Sequence, residues 1–389
     1  MTIYSFIQDK MVIERLIGVM IYACTLFIFY YGIRYSCSRK KTAGLLNIYV
    51  IILSIMAFIF IPEKTTDLYR LLEISKNWPN MKFNDFITQI AFKSNVPVAY
   101  IYIYICRCTG LDGFLPMMTC FIFYSNVFSI LKSLQKNFNI ESKQIAIAML
   151  AFMAMGKFLE VISGVRTLMA AAIFARCLYY ELTNHKINLT KTIIIYLIEL
   201  ITCLIHPYIL ILFLMKLILS LFKREQKKSV KILNTCIVII VCAFTIIYGK
   251  NYIKEAIEKA KSYLFEDHYS YIWEYIIAEL QCLTIGYSLI FFLKNRKLMN
   301  YKIIDKNTYF NIFIFVSMFF IVALVFCYQY SIFHRTITFV SILTMPLICF
   351  NLKEYSSKKY EEIIIGISLL VLILACTRGD LCAYKFFIL

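Results

Sequence analysis

The stretch LIGVMIYACTLFIFYYGI, Leu16–Ile33, contains no charged side chain. A second run of the same kind, GLLNIYVIILSIMAFIFI, occupies Gly44–Ile61. Each run has about 18 residues, and at about 1.5 Å per residue a helix of that length approaches the ~30 Å of a bilayer's hydrocarbon core. The two runs therefore predict two membrane-spanning helices.

The composition extends this prediction to the whole chain. Of its 389 residues, 61% are hydrophobic and 16% are aromatic, and the mean hydropathy is +0.73. Soluble domains are about 45–50% apolar. The net charge of +18 comes from short basic clusters between apolar runs, as the positive-inside rule expects. We predict an all-α polytopic membrane protein with the lipid bilayer, and no nucleic acid, as partner.

The apolar runs and basic clusters together predict the topology. Alternation that keeps the basic clusters in the cytoplasm gives about twelve spans, with both termini outside and short external loops. The predicted spans are 13–33, 44–61, 112–131, 144–162, 165–182, 192–206, 208–222, 232–248, 271–293, 309–330, 335–352 and 362–376. We interpret residues 1–389 as one integral membrane domain.

Residues 62–110 are predicted to form an external loop with interfacial or re-entrant helices. The apolar run in this segment, Val96–Cys106, is too short to span the membrane. If it crossed, the basic cluster Lys132, Lys136 and Lys143 would lie outside. A tilted span at this place is the alternative.

The stretch EVISGVRTLMAAAIFA, residues 160–175, places Arg166 at the start of a helix rich in small residues. Small residues let neighbouring helices approach closely, so the guanidinium faces the bundle or a cavity. Its planar fork suits phosphate oxygens, and the alternative is an interaction with a lipid headgroup. Lys157 and Glu160 lie three residues apart, and we expect them to form a local ion pair.

The predicted topology puts further polar residues on the outer side with Arg166. They are Asp67, Tyr69 and Arg70 in the first external loop, His206 in a hairpin, and His334 and Arg335 at a span start. Glu199 lies mid-span, two helical turns before His206, where an ionisable residue indicates a functional site or a buried hydrogen bond. Three arginines with histidines and a carboxylate suit a lipid diphosphate. Aromatic residues such as Trp78, Tyr208 and Tyr330 are candidates to stack on sugars or to anchor the membrane interface.

Four pieces of the sequence resemble the EpsG/Wzy group of bacterial polysaccharide (O-antigen) polymerases. They are Thr66-Asp67-Leu-Tyr69, Gly164-Val-Arg166-Thr-Leu-Met-Ala-Ala-Ala, Leu-Ile-His206-Pro-Tyr and Phe-His334-Arg335, in family order over nearly the whole chain. Thr167 departs from the family pattern, in which a glutamine often follows the arginine.

The resemblance implies a GT-C-like bundle in the bacterial cytoplasmic (inner) membrane with an outward-facing active site. Such an enzyme joins oligosaccharide repeat units carried on undecaprenyl diphosphate, and a chain-length regulator is a candidate partner. Arg166 and Arg335 would stabilise the leaving diphosphate. His206 is the first candidate for the base that accepts the hydroxyl proton, and Asp67 is the second. Arg70, His334, Tyr69 and Glu199 are the substrate-binding candidates.

The sequence shows no DxD-like acidic pair on the outer side and no ligand-spaced His/Cys cluster, so we expect a metal-independent reaction with no cofactor. Three other functions compete with polymerisation. They are a lipid-linked oligosaccharide flippase, an O-antigen-ligase-like glycosyltransferase and an acyltransferase. A flippase would have charges along the full depth of the bundle.

Overall fold

A computed structural model describes residues 3–62, 64, 66–184, 188–221, 272–296, 306–327 and 329–378, with four single positions between 232 and 239. For residues 3–15 the description covers the backbone only. In these ranges all regular structure is helical. The span predicted at 232–248, apart from the single positions, and the external loop predicted at 249–270 lie outside the described residues.

The described residues form fifteen α-helices, numbered here in chain order. They are α1 (Ile3–Arg34), α2 (Arg39–Phe58), α3 (Asp67–Ile74), α4 (Phe83–Phe86), α5 (Pro97–Arg107), α6 (Phe114–Phe138), α7 (Ser142–Met153), α8 (Phe158–Ser163), α9 (Thr167–Thr183), α10 (Leu189–Ile205), α11 (Tyr208–Leu221), α12 (Ile272–Asn295), α13 (Lys306–Val325), α14 (Tyr330–Tyr355) and α15 (Lys358–Thr377).

Seven of the described helices are long and apolar enough to cross a membrane, which supports a multi-pass membrane protein. They are α1, α2, α6, α12, α13, α14 and α15. The span predicted at 144–162 is instead two helices, α7 and α8. The next three helices are shorter than the seven, with 17, 17 and 14 residues for α9, α10 and α11. The count of about twelve spans therefore stays a prediction.

The segment predicted as an external loop contains only short helices in its described part. Its longest, α5, has 11 residues, or about 16 Å of helix, which is less than the bilayer requires. Trp78 is 5% exposed and packs on Phe86 and Tyr100, with ring centroids 5.1 and 5.2 Å away. These contacts make Trp78 the core of this segment rather than a free surface for a sugar.

Helix α14 is the centre of the bundle. It packs against α6, α7, α9, α12 and α13, and 89% of its apolar window is buried, against 33–56% for the other six candidate spans. Its buried threonines bond to the carbonyl four residues earlier, as Thr338 does to His334 at 3.0 Å and Thr344 to Val340 at 2.8 Å. Because these hydroxyls are satisfied within the helix, a helix with polar residues can be buried all round.

Residues from several predicted cytoplasmic clusters meet at one end of the bundle, which we call the basic end. The carboxylate of Glu361 at the start of α15 lies 3.1 Å from Arg34 and 2.5 Å from Lys143. Lys353 donates to the backbone oxygen of Asn139 at 3.0 Å. The loops after α1, α6 and α14 therefore lie on the same side, as the predicted alternation of spans requires.

A buried polar network ties four helices together. The amide of Asn351 on α14 donates to the backbone oxygen of Ser288 at 3.0 Å and to the hydroxyl of Tyr360 at 3.1 Å. Its side-chain oxygen accepts from the Tyr309 hydroxyl. Asn351, Ser288, Tyr309 and Tyr360 are all essentially unexposed. Satisfied polar groups in an apolar interior fix the relative positions of α12, α13, α14 and α15.

Candidate functional site

Two glycines flank α8, at the end of the bundle opposite the basic end. Gly156 has a φ of +65°, a left-handed conformation that disfavours larger residues, and it ends the α7 segment. At Gly164, a Cβ would lie 2.7 Å from the backbone oxygen of Glu160. Between these glycines, Lys157 and Glu160 are both directed into the bundle, with side chains 5% and 15% exposed.

Lys157 is the centre of four ionisable side chains, Lys157, Glu160, Glu274 and His334, which we call the Lys157 cluster. The Lys157 Nζ lies 2.6 Å from Glu160 Oε1, 3.1 Å from Glu274 Oε2 and 2.6 Å from His334 Nε2. Glu160 Oε1 also lies 2.5 Å from His334 Nε2. The cluster joins the start of α8 to the starts of α12 and α14.

Two carboxylates, one ammonium and one imidazole meet in this cluster. His334 Nε2 contacts both the carboxylate of Glu160 and the ammonium of Lys157, so the imidazole lies between opposite charges. The ring of His334 also stacks on Tyr330, with centroids 5.1 Å apart, which holds the imidazole in place.

The predicted ion pair between Lys157 and Glu160 is confirmed. The sequence reasoning missed Glu274, and it placed His334 with the substrate rather than with this pair. Glu274 and His334 are 117 and 177 residues from Lys157, so no local spacing connects them. The available signal was an acidic residue in the first turn of an apolar helix, where a charge needs a partner.

Arg166 and Arg335 stand near the cluster as partly buried guanidiniums. Among the described residues, neither has an ion-pair partner. Both helix starts lie at the cluster, so α9 and α14 run in the same direction, and they touch where Phe174 and Phe339 lie 5.8 Å apart. Arg335 precedes Phe339 by four residues on α14, and Arg166 precedes Phe174 by eight residues on α9. At about 1.5 Å per residue, the positions of the two arginines along the bundle axis therefore differ by about 6 Å.

The predicted hairpin at His206 meets the same helix start. The hydroxyl of Tyr208 donates to Thr336 Oγ1 at 2.9 Å, next to Arg335 in the chain. The backbone N–H of Tyr208 donates to His206 Nδ1 at 3.2 Å. A neutral imidazole that accepts at Nδ1 carries its proton on Nε2. His206 in this tautomer carries its proton at Nε2, and its role as the base stays a prediction.

Asp67 and Arg70 form an ion pair with each other across one turn of α3 (i, i+3). Both side chains are more than half exposed. Tyr69 between them is half-buried, and α3 packs on α8. The structure thus brings this helix to the end where the Lys157 cluster lies, but it leaves Asp67 paired rather than directed at a substrate hydroxyl.

Glu199 is not part of this site. It is fully buried, and its carboxylate contacts Lys216 on α11 rather than the residues near His206. Its spacing to His206 predicted a shared helix face, but His206 follows the last residue of α10 with an extended backbone. The structure thus places Glu199 with Lys216 instead of His206, and its role in substrate binding stays a prediction.

The fold and the site define a multi-pass helical membrane protein with cations and a buried charge cluster at one end. The chain matches no family model, no curated protein and no solved structure.

Proposed function

We propose that this protein is a polysaccharide polymerase of the cytoplasmic membrane, with a GT-C-like bundle of about twelve spans. It would join oligosaccharide repeat units carried on undecaprenyl diphosphate, at the outer face and without a metal ion. The observation that carries the proposal is the pair Arg166 and Arg335, two guanidiniums without a counter-ion among the described residues, beside the Lys157 cluster.

The unpaired guanidiniums favour an anionic ligand. Arginines in a membrane bundle are unfavourable unless an anion meets them, and a diphosphate matches the geometry of the guanidinium group. In the proposed complex, each of the two guanidiniums contacts one phosphate of the diphosphate.

In the proposed reaction, the anomeric carbon of the growing chain leaves its diphosphate and bonds to a hydroxyl of the incoming unit. The bond to the diphosphate oxygen breaks with its electron pair, and the arginines stabilise that charge. The hydroxyl proton passes to the protein. His334, whose Nε2 lies 2.5 Å from Glu160 Oε1, is a candidate for the group that accepts this proton, beside His206 and Asp67.

The test compares two arginines on one helix. We expect Arg166→Ala cells to make only single-unit polysaccharide on a gel, as a deletion strain does. Arg176, on the same helix, donates to Asn126 at 3.2 Å and is the matched control, so Arg176→Ala should keep the full ladder. A normal ladder from Arg166→Ala at a normal protein level would exclude the diphosphate role.

A lipid-linked oligosaccharide flippase is the second candidate, favoured by the charged residues Glu181, Glu199 and Lys216 in the depth of the bundle. Deletion of a flippase leaves lipid-linked units on the inner leaflet, whereas deletion of a polymerase leaves them on the outer one. An O-antigen-ligase-like enzyme would differ again, because its deletion also removes the single-unit product from the surface.

A further inference from the structure

Three charged side chains from neighbouring helices meet inside the bundle, away from the Lys157 cluster. They are Glu181 on α9, Glu199 on α10 and Lys216 on α11, which we call the Lys216 triad. The Lys216 Nζ lies 2.5 Å from Glu181 Oε2 and also contacts Glu199 Oε2. The side chains of Lys216 and Glu199 are 2% and 0% exposed, and that of Glu181 is 14% exposed.

Within the described part of the chain, no second cation contacts the triad. The Lys216 ammonium lies over the ring of Tyr196, 4.3 Å from its centroid. The other titratable groups that interact with the triad are the thiols of Cys177 on α9 and Cys203 on α10, which are neutral at pH 7. Arg176 is next to Cys177, but its guanidinium is directed to Asn126 on α6.

One cation therefore faces two carboxylates. If both glutamates are ionised, the triad has a net charge of −1 inside the bundle. An uncompensated buried charge is far more unfavourable than a neutral polar group, and such groups take up a proton instead. A single added proton makes the triad neutral.

Of the two carboxylates, Glu199 is the one expected to take up the added proton. Of its two oxygens, Oε2 accepts from Lys216, whereas Oε1 is buried and has no hydrogen-bond partner. Glu181 is the more exposed carboxylate, so it keeps its charge at lower cost. We propose that Glu199 is a membrane-embedded proton-binding site, whose occupancy is set by the charges of Lys216 and Glu181. The site goes beyond the proposed glycosyl transfer and does not depend on it.

The test is infrared spectroscopy of the purified full-length protein in detergent at neutral pH. A protonated carboxylic acid has a carbonyl band above the amide I region that shifts in D₂O. We expect this band in the wild type and its loss in Glu199→Gln. Glu181→Gln should also remove it, because Lys216 and an ionised Glu199 then balance each other. Lys216→Met should roughly double it, because both glutamates then need a proton.

Glu361→Gln is the matched control, since Glu361 is shared by the two cations Arg34 and Lys143 at the basic end. The wild-type band should remain in this variant. The glutamine substitutions keep side-chain shape, so the test stands even if Lys216→Met does not fold. Absence of the band in the wild type, or its persistence in either Glu199→Gln or Glu181→Gln, would overturn the proposal.

Discussion

Replacement of Lys157 by methionine tests how far the Lys157 cluster stabilises the bundle. Methionine fills a similar volume and has no charge. Removing one partner of a buried ion pair costs about 3–5 kcal/mol, because the other charge stays buried without compensation. Here Glu274 loses an ammonium 3.1 Å away, whereas Glu160 keeps its contact with His334. We therefore expect the free energy of unfolding to fall by about 3 kcal/mol, at the lower end of that range.

The assay is reversible unfolding of the purified protein by SDS in mixed micelles. Lys136→Met, which alters an exposed lysine near the end of α6, is the control and should change stability by less than about 0.5 kcal/mol. The double variant Lys157→Met with Glu274→Gln removes the charge left behind, and we expect it to recover about 1–2 kcal/mol. No loss in the single variant, or no recovery in the double one, would refute the argument from charge compensation.

Three further predictions follow from single contacts. Arg335→Lys keeps the charge but loses the planar fork, so we expect at least a roughly tenfold loss of chain extension in membranes at unchanged protein level. Gly164→Ala should lower the unfolding free energy by about 1–3 kcal/mol in the same SDS titration, whereas Gly366→Ala, with open space around the added carbon, should not. Asn351→Ala removes three buried hydrogen bonds, to Ser288, Tyr309 and Tyr360, which should cost about 1–3 kcal/mol in that titration. Wild-type stability in either destabilising variant would contradict the packing described for it.

The long apolar helices could be read from the sequence because their signal is local. An uninterrupted run of about 18 apolar residues needs no tertiary information to be recognised. The basic clusters carried similar information, and the meeting of Arg34, Lys143 and Glu361 at one end agrees with the predicted alternation. The run 144–162 was misleading, since residues 154–157, with Gly156 in a left-handed conformation, divide it into two helices.

The site was less predictable because its members come from distant parts of the chain. The pair Lys157 and Glu160 follows from helical spacing, but Glu274 and His334 reach it only through the packing of α8, α12 and α14. Helical spacing tells which residues share a face, but it does not tell which neighbour that face meets. For this reason Glu199 was assigned to the outer site, although it contacts Lys216.

The burial of α14 has a consequence for how the protein is made. Of the seven candidate spans this helix is the least apolar, and it has the largest buried share. The interior of the folded bundle is therefore a more favourable environment for α14 than lipid is, because its threonines and Asn351 are suited to protein neighbours. The helices with its most extensive contacts, α6, α7, α9, α12 and α13, precede it in the chain, whereas α15, which carries Tyr360, follows it. Because of this order of synthesis, the earlier helices can pack together before α14 is made. Helix α14 can then move from the insertion machinery into contact with protein instead of lipid.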